Sequence, residues 1–80
     1  MSDFISLSNG EEVQIQGEYT VDMVMSSGDA RLQYRNDITG SKVDVPDTTK
    51  TANSSFNIKR GITNISALIT GDATVELTVI

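Results

Sequence analysis

Between Val13 and Met25 the odd positions Val13, Ile15, Tyr19, Val21, Met23 and Met25 are apolar, while the even positions are polar up to Val24. That is the period of a strand with one buried face. Gly17 keeps the parity, so it reads as a bend inside one long strand that can pass from one sheet to another at a corner. Ala30, Leu32 and Tyr34 then alternate with Arg31, Gln33 and Arg35. A two-residue turn at Ser27-Gly28 would set Met25 opposite Ala30, Met23 opposite Leu32 and Val21 opposite Tyr34. A four-residue loop, Asp37 to Gly40 closed by Asn36 and Ser41, sets Tyr34 opposite Val43 and Leu32 opposite Val45. Tyr19 to Val45 therefore predicts a three-stranded meander with its apolar side chains on one face, and a slip of one residue would turn them into water. Pro46 cannot donate to a ladder, so it ends the third strand or marks it as an edge.

On either side of this meander the chain keeps the same habits. Phe4 to Ser8 predicts a short first strand with Ile5 and Leu7 on one side, or an arm that orders on a partner, and Asn9-Gly10 is a turn signal. Residues 47–54, DTTKTANS, have the composition of a loop. Phe56 and Ile58 predict a short strand, with Arg60-Gly61 as the next turn. Ile65, Ala67 and Ile69 share one face of a strand, and Ala73, Val75, Leu77 and Val79 share one face of the last. A three-residue loop, Gly71 to Ala73, pairs Ile69 with Val75, Ala67 with Leu77 and Ile65 with Val79; the competing arrangement puts the two strands in different sheets. No helical period occurs. The chain thus predicts an all-β single domain over residues 1–80, a small antiparallel β-sandwich or barrel of about seven to eight short strands, with residues 1–8 an N-terminal arm or edge strand.

Composition narrows the chemistry. The 80 residues contain neither cysteine nor histidine, which removes disulfides, thiolate metal sites and the usual general base and nucleophile arrangements. No catalytic set, metal site or cofactor site is expected, and the chain is not expected to be an enzyme. No basic region precedes an apolar core and no long apolar run occurs, which predicts neither signal peptide nor membrane span. A formal net charge of -5 argues against binding a nucleic-acid backbone. The charge is uneven: Asp3, Glu11, Glu12, Glu18, Asp22 and Asp29 precede every basic residue, and all six basic residues lie between Arg31 and Arg60. A solvated surface accounts for this polarity, as does docking of the acidic end on a basic partner.

Three polar groupings contain residue types that could carry chemistry. Asn36-Asp37-Ile38-Thr39-Gly40 lacks the further acidic ligands of a calcium loop and has the residues that a hairpin turn wants. Glu11 and Glu12, adjacent in a strand, point to opposite faces and cannot converge on one substrate. Arg35 and Lys42 fall opposite each other on the outer face of the predicted hairpin, a like-charge pair that costs a little. Asp44 diagonally across and Thr20 beside Arg35 would relieve it, or an anion or carboxylate from a partner subunit would.

From Ser27 onward Leu32-Gln33-Tyr34, Val43-Asp44-Val45-Pro46, Ser55-Phe56-Asn57-Ile58, Gly61 and Gly71 follow one another. In these residues the chain resembles small structural proteins of tailed bacteriophages. The family pattern has an aromatic residue where Lys42 stands, and a basic or aromatic pair where Thr63-Asn64 stands. The resemblance implies a non-enzymatic virion protein, made in the host bacterial cytoplasm and bound as a capsid decoration (cement) protein to the outer surface of the head shell. Its implied partners are the major capsid protein and further copies of itself, as a trimer or dimer, with neither nucleic acid nor membrane. The alternative is a tail, fibre or head-spike module contacting host-surface glycans. Phe4, Ile5 and Leu7, as an arm, and Arg35 and Lys42 are the candidate partner contacts.

Overall fold

The computed structural model describes residues 4–80. Six strands run β1 (Phe4–Leu7), β2 (Glu12–Val24), β3 (Ala30–Arg35), β4 (Lys42–Asp44), β5 (Ser54–Ile69) and β6 (Thr74–Val79). All neighbours are antiparallel and form a single open sheet in the order β1-β6-β2-β5-β3-β4. The all-β, antiparallel expectation holds, with six strands in place of seven or eight. The number falls because two strands are long: β2 runs through Gly17 as the parity predicted, and β5 runs through the predicted turn at Arg60-Gly61.

β5 does so by means of a bulge. Val21 faces Phe56 and Tyr19 faces Ile58, yet beyond the irregularity Ile15 faces Thr63 and Val13 faces Ile65. From Ile15 to Gly17 β2 advances two residues while β5 advances three, from Arg60 to Thr63, so β5 carries one extra residue. That residue switches the core-facing parity of β5 from even (Phe56, Ile58) to odd (Ile65, Ala67). Were that residue kept in a regular ladder with no bulge to absorb it, one half of β5 would turn its apolar side chains outward.

The pairing of the chain's central segment corrects the predicted meander. Its second hairpin forms with the expected register, Tyr34 opposite Val43 and Arg35 opposite Lys42, and Val45 donates to the Leu32 carbonyl at 2.9 Å. Its first hairpin does not form: β2 pairs with β5 and β6, and β3 with β5 and β4. The terminal hairpin is likewise absent, since β6 lies between β1 and β2. Alternation says which face a residue turns to the core and leaves its neighbour open, and each of these strands satisfies its parity against a distant partner.

The β2–β5 ladder from Glu12 to Met23 would span about 37 Å if flat, at about 3.4 Å per residue. β6 flanks only Tyr19–Val24 of β2, and β3 flanks only Ile65–Ile69 of β5, at opposite ends of that ladder. Nevertheless the loops that leave those two ends touch: Thr70 N–H donates to the Asp29 carbonyl at 2.8 Å. The sheet must therefore bend over its own face, and the Gly17 turn (φ +109°) and the bulge mark where it does so. Inside the bend Val21, Met23, Leu32, Ile65, Val75 and Leu77 are fully buried and form one cluster with Leu7, Ile15, Tyr19, Met25, Ala30, Val45, Ala67 and Ala73. Each large apolar side chain contributes about 1.5–3 kcal/mol by leaving water. Thr48, buried beside them, accepts from Leu32 N–H at 3.1 Å and donates to the Val45 carbonyl at 2.8 Å, which ties the loop after β4 to β3.

Candidate functional site

Arg35 and Lys42 stand opposite each other, as the hairpin register requires, but the charge between them is answered from another strand. Glu12, at the start of β2, takes the Arg35 guanidinium in a forked pair, with Nε to Oε2 and Nη2 to Oε1 each at 2.9 Å. Arg35 Nη1 also donates to the Gly40 carbonyl at 2.5 Å, and Lys42 Nζ donates to the Gly10 carbonyl at 3.3 Å. Hydrogen bonds from the Arg35 guanidinium hold the Glu12 carboxyl below its ordinary range, assisted by the nearby charges of Arg35 and Lys42. Thr20 is not beside Arg35, because β2 and β3 are not neighbours; it bonds Asn57 at 3.0 Å instead. Asp44 pairs with Arg31 at 3.3 Å and accepts from Gln33 at 2.9 Å. The hairpin made the Arg35–Lys42 pair legible in the sequence, whereas Glu12 is 23 residues away with nothing in the pattern to announce it.

Next to this pair lies a surface groove of about 390 Å³, lined by Tyr34, Arg35, Asn36, Asp37, Ile38, Arg60, Ile62 and Thr63. Its shape follows from the fold. β3 leaves β5 at Tyr34–Ile65, and β5 then swings away through the bulge, so the tip of the β3–β4 hairpin and residues 60–63 become two walls. The tip is held firmly: Asn36 Oδ1 accepts from Ile38 and Thr39 N–H at 2.8 and 3.1 Å, and Gly40 N–H closes on the Asn36 carbonyl at 2.7 Å. This is a hairpin turn built by Asn, and it projects Ile38 94% exposed. On the facing wall Ile62 is 65% exposed, and the Arg60 guanidinium lies over the Tyr34 ring, 5.2 Å from its centroid. An isoleucine at the tip of a polar turn is a sequence signal in its own right, and one the alternation-based reading passes over. Chemically the groove offers apolar contact beside a stacked guanidinium, a combination suited to another protein's surface. Among the described residues no group of three or more acidic side chains is placed to hold a metal ion.

The other candidate contacts lie at the far edge of the sheet. Phe4, Ile5 and Leu7 belong to β1, the edge strand paired to β6 through Phe4–Thr78 to Leu7–Val75. Leu7 is part of the core and Ile5 packs against it, while Phe4 is 54% exposed on the outer face. Residues 1–3, the rest of the predicted arm, lie outside the described residues.

At the end of the bend opposite the groove the two crossing loops are clasped by Asp72. Its Oδ1 accepts from the Ser26 and Ser27 N–H groups, both at 2.9 Å, and its Oδ2 from the Ser26 hydroxyl. Thr70 and Asp29 add a second link, Asp29 N–H donating to Thr70 Oγ1 at 2.9 Å and that hydroxyl donating to Asp29 Oδ1 at 2.7 Å. The Ser26 hydroxyl and the two N–H groups pull the Asp72 carboxyl down from 3.8 to about 2. Its folded-state pKa lies below the unfolded one, so the clasp stabilises fully above pH about 4 and is lost as pH falls through about 2. Asp72→Ala is therefore expected to lower the unfolding midpoint at neutral pH, with the gap from wild type closing between about pH 4 and pH 2. Thermal unfolding followed across that range by circular dichroism checks it; a gap independent of pH would mean that the carboxylate charge is not what holds the loops.

No protein-family model, no curated protein and no solved structure matches this chain.

Proposed function

We propose that this protein is a non-enzymatic virion structural protein, a decoration (cement) protein that binds the outer surface of a bacteriophage head shell and stabilises it. The likeness of residues 27–80 to such proteins suggests the class. The observation that supports a docking role is the groove, where Ile38 on its hydrogen-bonded turn and Ile62 on β5 stand exposed beside the stacked Arg60. An exposed apolar knob is a feature of surfaces that meet a partner. In this reading the bent sheet closes over its core as a small sandwich does, the major capsid protein is the partner, and the domain acts as a homo-oligomer on the capsid surface. A domain of this size buries modest area by itself and gains security from its neighbours.

Mass action supplies the test. Saturating protein added to undecorated shells is expected to raise their resistance to heat or chaotrope, and Ile38→Asp is expected to weaken that protection at unchanged domain stability. Absence of protection by the wild-type protein overturns the proposal. Copy number in purified particles separates the neighbouring reading: a simple fraction of the major shell protein fits cement, whereas a few copies per particle fit a tail, fibre or head-spike module.

A further inference from the structure

Two stretches of the central ladder have no neighbour on one side. β5 pairs only with β2 from Ser54 to Arg60, because β3 reaches no further than Ile65. β2 pairs only with β5 from Glu12 to Gly17, because β6 begins at Tyr19. In an antiparallel ladder alternate residues turn N–H and C=O away from the partner strand, so each stretch carries a row of outward backbone groups. Outside the ladders, no backbone hydrogen bond among the described residues involves positions 54–60 or 12–17. The outermost strand on the β3 side differs from these. β4 has three residues including Lys42 and Asp44, with Pro46 just beyond, the usual protection of an edge.

The two free edges complement each other. No acidic residue occurs between Asp47 and Asp72, and the β5 edge ends in Lys59 and Arg60, whereas the β2 edge begins with Glu11 and Glu12. Within one chain Lys59 lies opposite Glu18, Glu12 holds Arg35, and Asp37 shares the groove with Arg60, so the contrast is one of edges and not of whole faces. Laid antiparallel, the edges match in one register, which pairs Glu11 with Arg60, Glu12 with Lys59, Val13 with Ile58, Gln14 with Asn57 and Ile15 with Phe56. Charge meets opposite charge, apolar meets apolar and amide meets amide. Val13 and Ile15 face the core side of their strand, as do Ile58 and Phe56, so the pairing keeps inner face with inner face. The free side of β2 is the side of β6 and that of β5 is the side of β3. Set beside β5 of another copy, β2 thus presents its free side with the correct direction.

We infer that the β5 edge of one copy receives the β2 edge of a second, a head-to-tail contact through main-chain hydrogen bonds with Glu11–Arg60 and Glu12–Lys59 fixing its register. Such a contact joins two different surfaces, so it builds a ring when the rotation closes and a filament when it does not. The assignment is independent of the virion proposal, since its test uses the purified protein alone.

Sedimentation velocity over a wide concentration range reads the association, and amide hydrogen exchange locates it. The wild-type protein is expected to self-associate, with protection at alternate residues of 12–17 and 54–60 that increases with concentration. Glu11→Lys and Arg60→Glu are each expected to weaken association about tenfold or more. The double variant, Glu11→Lys with Arg60→Glu, is expected to restore it, as is an equimolar mixture of the two single variants. Unfolding midpoints accompany each measurement; should Arg60→Glu lose its fold through the lost Tyr34 contact, Lys59→Glu, which leaves that contact and the Glu12–Arg35 pair in place, replaces it and is expected to weaken association in the same way. A wild-type protein that stays monomeric at about millimolar concentration, association that the single changes leave intact, or failure of both restorations overturns the inference.

Discussion

Gly28→Ala is expected to lower stability by about 2–5 kcal/mol, from a left-handed backbone penalty of about 1–2 kcal/mol and an overpacking penalty of about 1–3 kcal/mol. Gly28 has φ +86°, and a Cβ there would press into the backbone carbonyl of Thr70. Gly71, φ +68°, meets the Ser27 carbonyl in the same way, so each glycine admits the other's loop. Neither neighbour is the end of a flexible side chain, and relief requires the two loops to separate. A domain of this length has about 4–12 kcal/mol in all, at about 0.05–0.15 kcal/mol per residue, so the loss is a large share. Gly40→Ala serves as the control, because Gly40 also has a positive φ (+73°) but open space where a Cβ would stand. Urea unfolding of both variants separates the backbone penalty from the contact. Equal losses would show that the loops do not touch in solution.

Deletion of Thr20 is expected to abolish cooperative folding. Thr20 turns to the outer face and its side chain bonds Asn57 there, so the effect comes mainly from register. β2 keeps one parity from Val13 to Met23; with β2 one residue shorter, Val21 and Met23 can keep their partners on β5 and β6 only if Tyr19, Ile15 and Val13 turn outward. Tyr19 and Ile15 are buried, and exposing an isoleucine alone forfeits about 1.5–3 kcal/mol before its cavity is counted. Deleting exposed Ile62 removes the same amount of chain but takes the extra residue out of β5, so that Ile58–Tyr19 and Ile65–Val13 fall in one unbroken register, and it is expected to cost far less. Far-UV circular dichroism and amide NMR dispersion distinguish the two deletions. A well-dispersed spectrum from the Thr20 deletion would mean that the parity of β2 does not specify its register.

Much of the candidate site was hidden for the same reason that the topology was. The Arg35–Lys42 pair lies within one hairpin, where loop length and alternation dictate who faces whom, and it stands where the sequence placed it. Glu12, Arg60 and Ile62 reach the same region only because β5 runs beside both β2 and β3 and bends between them. No local pattern records that meeting. The turn read at Arg60-Gly61 is instructive: a change of parity in a sequence is equally well explained by a turn or by one extra residue in a continuing strand. Only the partner strand, unbroken through Gly17, decides between them.

Side-chain alternation by itself determined that this chain is all-β, which face of each strand enters the core, and that β2 continues through Gly17. Those are consequences of a two-residue period that each strand carries alone. The order of the strands, the bend that brings Asp72 to Ser26 and the groove between Ile38 and Ile62 were decided by tertiary structure. Parity leaves every inward-facing strand compatible with every other, and the choice falls to the one arrangement that buries all of them around a single core while letting Gly28 and Gly71 pass each other.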